Sequence, residues 1–90
     1  MLTLPIKKKW FDMIKSGEKV EEYRALSPYY VSRLGKYRGQ KIELCLRNGY
    51  SSESPKINVL CEVTTGRGKS EWGAIENENY FVLKILEIIQ

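Results

Sequence analysis

The chain has 90 residues, of which 42% are hydrophobic and 29% are charged, and its formal net charge is +4. This composition excludes a disordered chain, and the length suits one domain over residues 1–90 with a single modest core. The cationic excess suits a polyanionic partner, whereas the absence of His excludes His-based acid–base chemistry and the commonest zinc ligand sets.

The cysteine content and the hydropathy pattern indicate a cytoplasmic location. Cys45 and Cys61 are the two cysteines, and they lie too far apart in the sequence to suggest a metal cluster. No signal peptide is recognised, and the longest apolar run, Phe81–Ile89, is interrupted by Lys84 and Glu87 and is too short to cross a membrane. We therefore expect reduced thiols, no metal, no cofactor and no membrane partner.

The first part of the chain predicts a short strand and two helices. Apolar and polar residues alternate over Leu2–Ile6, which indicates a strand. Residues 8–16 have one apolar face, and Gly17 follows as a natural helix terminator. Ser27-Pro28 predicts the beginning of a second helix at about 28–34, because Ser caps a helix well and Pro fits its first position.

The second part of the chain predicts three more strands. Lys41–Arg47 and Ile57–Thr65 alternate, and Tyr80–Ile89 has apolar residues on both faces, as a central strand does. Residues 66–70 predict a flexible cationic loop, and residues 71–79 a loop or one helical turn. With a strand near residue 20, this pattern predicts an α+β fold, a small and mostly antiparallel β-barrel of about five to six strands.

The charged segment around residue 20 is the strongest candidate for function. A strand over residues 18–24 places Glu22 and Arg24 on one face and Lys19 on the other, and a twist or bulge at its start brings Lys19 round to join them. From the residues alone, a solvated charged edge is the plainer interpretation. Pairing of Glu22 with Arg24 inside the sheet competes evenly with a ligand-binding role.

These residues, in this order, resemble the ASCH family of the PUA-like superfamily. The family signature is a helix ending in Gly-x-Lys, usually followed by Thr, and then x-Glu-x-Arg. Lys19, Glu22 and Arg24 match it, whereas Val20 stands where Thr is usual. The resemblance covers about the first quarter of the chain. It implies a PUA-like pseudobarrel with two short helices near the N-terminus and a cleft that the signature strand lines.

Aromatic and cationic residues outside this segment suggest an RNA or nucleotide ligand. Rings at element ends or in loops suit the stacking of unpaired bases, and the candidates are Tyr29, Tyr37, Tyr50 and Trp72. Arg67 and Lys69 in the glycine-rich loop are candidates for phosphate contacts. Core packing is the alternative for each ring, and a solvated surface is the alternative for each cation.

An enzyme acting on RNA or on a modified nucleoside is the second interpretation. Some small bacterial proteins of the ASCH family resemble amidohydrolases acting on acetylated cytidine, and they use a Lys, a Thr three positions later and a downstream Glu. Here Lys19 matches and Glu22 replaces the Thr, which removes the hydroxyl; the candidates for the downstream acid are Glu71, Glu76 and Glu78. Other members are linked to RNA cleavage, which needs no Thr. A Lys19–Glu22 pair can act as a base if burial lowers the Lys pKa. A protein-interaction module is the third interpretation.

Overall fold

The computed structural model describes residues 1–89, which form one five-stranded sheet and two α-helices. In chain order the elements are β1 (Leu2–Pro5), α1 (Lys8–Ser16), β2 (Glu21–Ala25), α2 (Pro28–Leu34), a 3₁₀ turn (Gly35–Tyr37), β3 (Lys41–Arg47), β4 (Lys56–Arg67), a second 3₁₀ turn (Ser70–Trp72) and β5 (Asn79–Ile88). The prediction of a small α+β fold with both helices in its first part is confirmed.

The sheet is a curled half-barrel with the strand order β1-β3-β4-β5-β2. β1 runs parallel to β3, and all other neighbours are antiparallel. Over residues 1–89, β1 and β2 are the two edges and do not pair with each other, so the closed barrel predicted from the sequence is not formed. The edge strands have only four and five residues, and α1 connects them in the chain.

Local signals fix the two helices where the sequence predicts them. Gly17 ends α1 in the left-handed conformation at a φ of 86°, and its N–H donates to the carbonyl of Ile14. The conformation costs a glycine little because it has no Cβ. Ser27 caps α2 by accepting a hydrogen bond from the N–H of Tyr30, and Pro28 occupies the first helical position.

The core lies between the concave face of the sheet and the helices. Alternate residues of β4 supply its centre, as their spacing predicts, and α1 and α2 close it. Its buried members are Leu4, Ile6, Phe11, Ile14, Leu34, Leu44, Leu46, Ile57, Val59, Cys61, Val63, Phe81 and Leu83. Cys45 and Cys61 are both buried and unbridged, which confirms the prediction of free thiols. No helix within residues 1–89 has the length and apolar character to cross a membrane.

Candidate functional site

The turn between α1 and β2 brings Lys19 to the side of the sheet where Glu22 lies. The N–H of Lys19 donates to the carbonyl of Met13, which folds this segment back against the helix. β2 begins at Glu21, three residues later than the sequence predicts, so strand alternation does not determine the direction of the Lys19 side chain. That side chain is fully buried, and the residue is only 1% exposed.

Lys19, Glu22 and Arg24 form one buried cluster of two cations and one anion. The Nζ of Lys19 lies 2.7 Å from Oε1 of Glu22 and also donates to the carbonyl of Glu21. Oε2 of Glu22 accepts from Nη2 of Arg24 at 2.6 Å and from its Nε at 3.1 Å. Glu22 and Arg24 are 6% and 8% exposed, so the carboxylate is buried. Both of its oxygens accept hydrogen bonds from the two cations.

Burial and charge act differently on the two cations. Burial lowers the pKa of Lys19, and the opposing attraction of Glu22 does not restore it. Burial also acts to lower the pKa of Arg24, but the charge of Glu22 and a hydrogen bond to the Tyr30 hydroxyl outweigh it and hold that pKa above its usual value. Arg24 is therefore a permanent charge, with its plane fixed by Glu22.

Aromatic rings and a loop enclose Lys19. Its Nζ lies 5.6 Å from the ring centroid of Trp10 and 5.1 Å from that of Tyr23. The segment Gly68–Ala74 packs over these rings, and its Lys69 N–H donates to the Tyr23 hydroxyl at 2.9 Å. Lys19 is consequently shut off from solvent, which its residue type alone does not suggest.

An open cleft of about 400 Å³, here called the Arg24 cleft, begins where the buried cluster ends. It is lined by Pro5, Ile6, Lys7, Arg24, Tyr30, Asn48, Gly49 and Tyr50. Two cations and two aromatic rings therefore meet in one concave site, and the Tyr50 ring is almost free, because that residue is 86% exposed. Lys19 and Glu22 are not among the lining residues.

The hydrogen bonds of Arg24 leave part of its guanidinium unused. Nε and Nη2 donate to Glu22, and Nη1 donates to the Tyr30 hydroxyl at 3.0 Å. A guanidinium has five N–H groups, so one remains on each terminal nitrogen. Two donors on adjacent nitrogens of a fixed plane suit a bidentate acceptor, such as a phosphate or the edge of a base.

The predicted ring platforms differ in accessibility. Tyr29 lies on α2, is 52% exposed and meets the Tyr30 ring edge-to-face at a centroid distance of 4.9 Å. Trp72 does not present its ring as the loop prediction expects, because the 3₁₀ turn at Ser70–Trp72 directs it inward and leaves 9% exposed. The ammonium of Lys69 lies 4.7 Å from the centroid of that ring.

The other predicted polar residues lie away from the Arg24 cleft. Arg67 and Lys69 are exposed and are not among its lining residues, and Arg67 donates to the side-chain oxygen of Asn77 at 3.0 Å. The three candidates for a downstream acid, Glu71, Glu76 and Glu78, are exposed. Over residues 1–89, the carboxylate paired with Lys19 is Glu22.

Lys7 and Asn48 are site residues that the sequence does not reveal. They follow the ends of β1 and β3, and the parallel pairing of these strands aligns Pro5 with Arg47. Parallel strands end at the same edge of a sheet, so the residues after them are neighbours in space. The Asn48 side chain confirms this by donating to the carbonyl of Ile6 at 3.0 Å. Parallel pairing is the signal that would have identified them.

A second groove, of about 440 Å³, lies on the other flank of α2. Its lining is mainly apolar or neutral, with Leu26, Val31 and Phe81 among the apolar residues and Arg38 as its one cation. It is the larger of the two, but it contains none of the buried charge cluster. The Arg24 cleft is therefore the better candidate site, because a fixed charge and the exposed Tyr50 ring coincide there.

Neither a metal centre nor a known relative adds to this description. Within residues 1–89, no group of three or more His, Cys, Asp or Glu side chains is placed to hold a metal ion. Comparison with family models, with curated proteins and with solved structures gives no match for this chain.

Proposed function

We propose that this chain is an ASCH-type domain, with an open five-stranded sheet in place of the closed barrel, that binds RNA or a nucleotide in the Arg24 cleft. The observation that carries the proposal is the state of Arg24. Arg24 is only 8% exposed, and Glu22 and Tyr30 hold its guanidinium in place through hydrogen bonds. Two N–H donors of that guanidinium remain unpaired at the boundary of an open cleft. A cation held in this way loses little side-chain entropy when it binds a ligand.

The cleft supplies the contacts that a nucleotide needs. The two remaining donors of Arg24 fit a phosphate or the O6/N7 edge of guanine, and Lys7 adds a second positive charge. Tyr50 offers a free ring on which a base can stack. A volume of about 400 Å³ falls within the usual range of small-ligand sites.

Glu22 and Lys19 act as positioning residues in this proposal. Glu22 holds the plane of Arg24 through two hydrogen bonds to the same oxygen. Lys19 occupies the other oxygen and so keeps the carboxylate from turning away. The family-like spacing of the three residues then serves to present one guanidinium to the ligand.

The salt dependence of RNA binding tests the proposal. Fluorescence anisotropy with a labelled short single-stranded RNA is measured over a range of salt concentrations. If about three phosphates are neutralised, the log–log slope is near −2, and Lys7→Ala flattens it by about 0.7. Lys41→Ala is the matched control, because it removes an exposed cation that does not line the cleft. Equal slopes for the two variants, or no saturable binding at low salt, would contradict the proposal.

Arg24→Lys separates the shape of the guanidinium from its charge. Lys keeps a positive charge beside Glu22 but lacks the planar fork, so affinity should fall by about 1–3 kcal/mol. Circular dichroism and a melting curve establish that the variant is folded before it is titrated. A folded Arg24→Lys variant that binds RNA as tightly as the wild type would eliminate Arg24 as the anchoring group.

An enzyme acting on RNA or on a modified nucleoside is the second candidate, and one observation favours it. The lowered pKa of Lys19 is the direction that a general base requires. Its burial opposes the same idea, because a substrate reaches Lys19 only if the segment Gly68–Ala74 moves away. Incubation of the protein with acetylated cytidine and with short RNAs decides between catalysis and binding. Turnover by the wild type that is lost in Lys19→Ala would place catalysis above binding.

A further inference from the structure

A row of two aromatic rings with a cation at each end leads from the Arg24 cleft to the outer surface of α2. The guanidinium carbon of Arg24 lies 5.7 Å from the ring centroid of Tyr30, whose ring contacts that of Tyr29 at 4.9 Å between centroids. The guanidinium carbon of Arg33 lies 3.6 Å from the centroid of Tyr29, the distance of two stacked planes. These four residues, here called the cation–ring row, are each in contact with the next.

Helical geometry places the row on one flank of α2. Successive residues are about 100° apart around a helix, so Tyr29, Tyr30 and Arg33 share a side while Val31 lies on the opposite flank, in the second groove. Burial decreases along the row from Arg24 outward. Arg24 is 8% exposed and Tyr29 is 52% exposed, and Arg33 is exposed as well. The inner end is thus fixed by the core and the outer end is open to a ligand.

We propose that the outer end of this row is a second nucleotide subsite. The ligand is then an unpaired RNA strand of at least two nucleotides, with one in the Arg24 cleft and the next stacked on the Tyr29–Arg33 pair. The proposal rests on the proposed function of the Arg24 cleft and extends it. It excludes a free mononucleotide as the best ligand and excludes a duplex, whose bases are already stacked and paired.

The chemistry of the pair suits this role. A guanidinium stacked on a tyrosine ring presents a flat, cationic surface, and bases stack on Arg planes as well as on rings. Arg33 also places a positive charge beside the Tyr29 ring, which would attract the phosphate that links the two nucleotides. Arg33 also donates to the carbonyl of Tyr29, which ties the two residues together before any ligand binds.

A length series of ligands tests the second subsite. A 5′-phosphorylated mononucleotide, dinucleotide and trinucleotide of one base, and a short duplex, are titrated by calorimetry. Stacking of one further base corresponds to a gain of about 5- to 150-fold from mononucleotide to dinucleotide, with a smaller gain at the third nucleotide. Tyr29→Ala should abolish the first gain, taken as the ratio of dinucleotide to mononucleotide affinity of the same variant. Tyr29→Phe, which keeps the ring, should retain the gain.

Three outcomes separate this inference from the function on which it rests. If the mononucleotide binds but the dinucleotide gains nothing, or if the gain survives in folded Tyr29→Ala, the second subsite is wrong and the Arg24 cleft stands. If the duplex binds as tightly as the single strand, the second subsite is also wrong. If no ligand of the series binds, the proposed function itself fails. Tyr50→Ala is the internal control, because it should weaken all single-stranded ligands by a similar factor.

Discussion

Replacing Glu22 by Gln should be among the most damaging single changes in this chain. Glu22 accepts three hydrogen bonds from two buried cations, and Gln removes its charge while turning an amide donor towards one of them. Leaving a buried charge without its partner costs about 3–5 kcal/mol. Stability of roughly 0.05–0.15 kcal/mol per residue means that this loss takes a large share of the total.

The loss of stability in Glu22→Gln is best compared with that in Lys19→Met. Lys19→Met removes one of the two cations and leaves Glu22 and Arg24 as a pair of zero net charge, with one carboxylate oxygen unsatisfied. An unsatisfied buried acceptor costs about 1–3 kcal/mol, so this variant should be the more stable of the two. In the double variant the costs should fall short of additivity by about 0.5–3 kcal/mol, because the two residues interact directly.

Urea unfolding at neutral pH measures all four proteins of this cycle. The midpoints should shift while the slopes stay equal, since the surface exposed on unfolding is unchanged. In thermal melts, Glu22→Gln should lower the Tm by about 12 °C or more. A cost below about 1 kcal/mol for Glu22→Gln, or a Lys19→Met variant that is less stable than it, would refute the electrostatic reasoning.

Two further predictions concern pH and backbone space. Burial raises the pKa of Cys61 to about 11, so the thiol is protonated in both states at neutral pH and the unfolded state ionises first as the pH rises. The free energy of unfolding should therefore fall by an extra 2–3 kcal/mol or so between about pH 9 and about pH 11. Cys61→Val should lack this pH-dependent loss of stability. Identical pH profiles for the wild type and Cys61→Val would contradict the prediction. A Cβ at Gly68 would lie 2.7 Å from the Tyr23 ring and from Ala74, so Gly68→Ala should cost about 1–3 kcal/mol. Gly35→Ala is the control, because its Cβ would make an ordinary 3.6 Å contact with Val31, and equal melting temperatures for the two variants would remove the close approach as a cause.

Local patterns in the sequence predict most of the elements because their causes are local. The glycine after α1, the Ser-Pro pair before α2 and the alternation along β4 each act within a few residues. The openness of the sheet is different. Whether β1 and β2 meet depends on the curl of the whole sheet and on how far α1 spans, and no short pattern encodes either.

The candidate site was only partly predictable for the same reason. The spacing of Lys19, Glu22 and Arg24 indicates a cluster, and the structure forms one, but sequence alone does not reveal that Lys19 is enclosed and that Arg24 reaches the open cleft. Lys7 and Asn48 join the site through the parallel pairing of β1 with β3, a contact between distant parts of the chain. Trp72 is a predicted site residue that the structure does not expose. Its loop position suggests an exposed ring, but the 3₁₀ turn buries it.

A two-dimensional amide NMR titration with a short single-stranded RNA tests the central claim most directly, because it locates the ligand without relying on a variant. Binding in the Arg24 cleft predicts saturable shifts at Ile6, Lys7 and Asn48–Tyr50, together with a shift of the Nε–H of Arg24. Shifts confined to Arg67–Lys69 and their neighbours, or no saturable shift at low salt, would contradict the assignment of the Arg24 cleft as the ligand site.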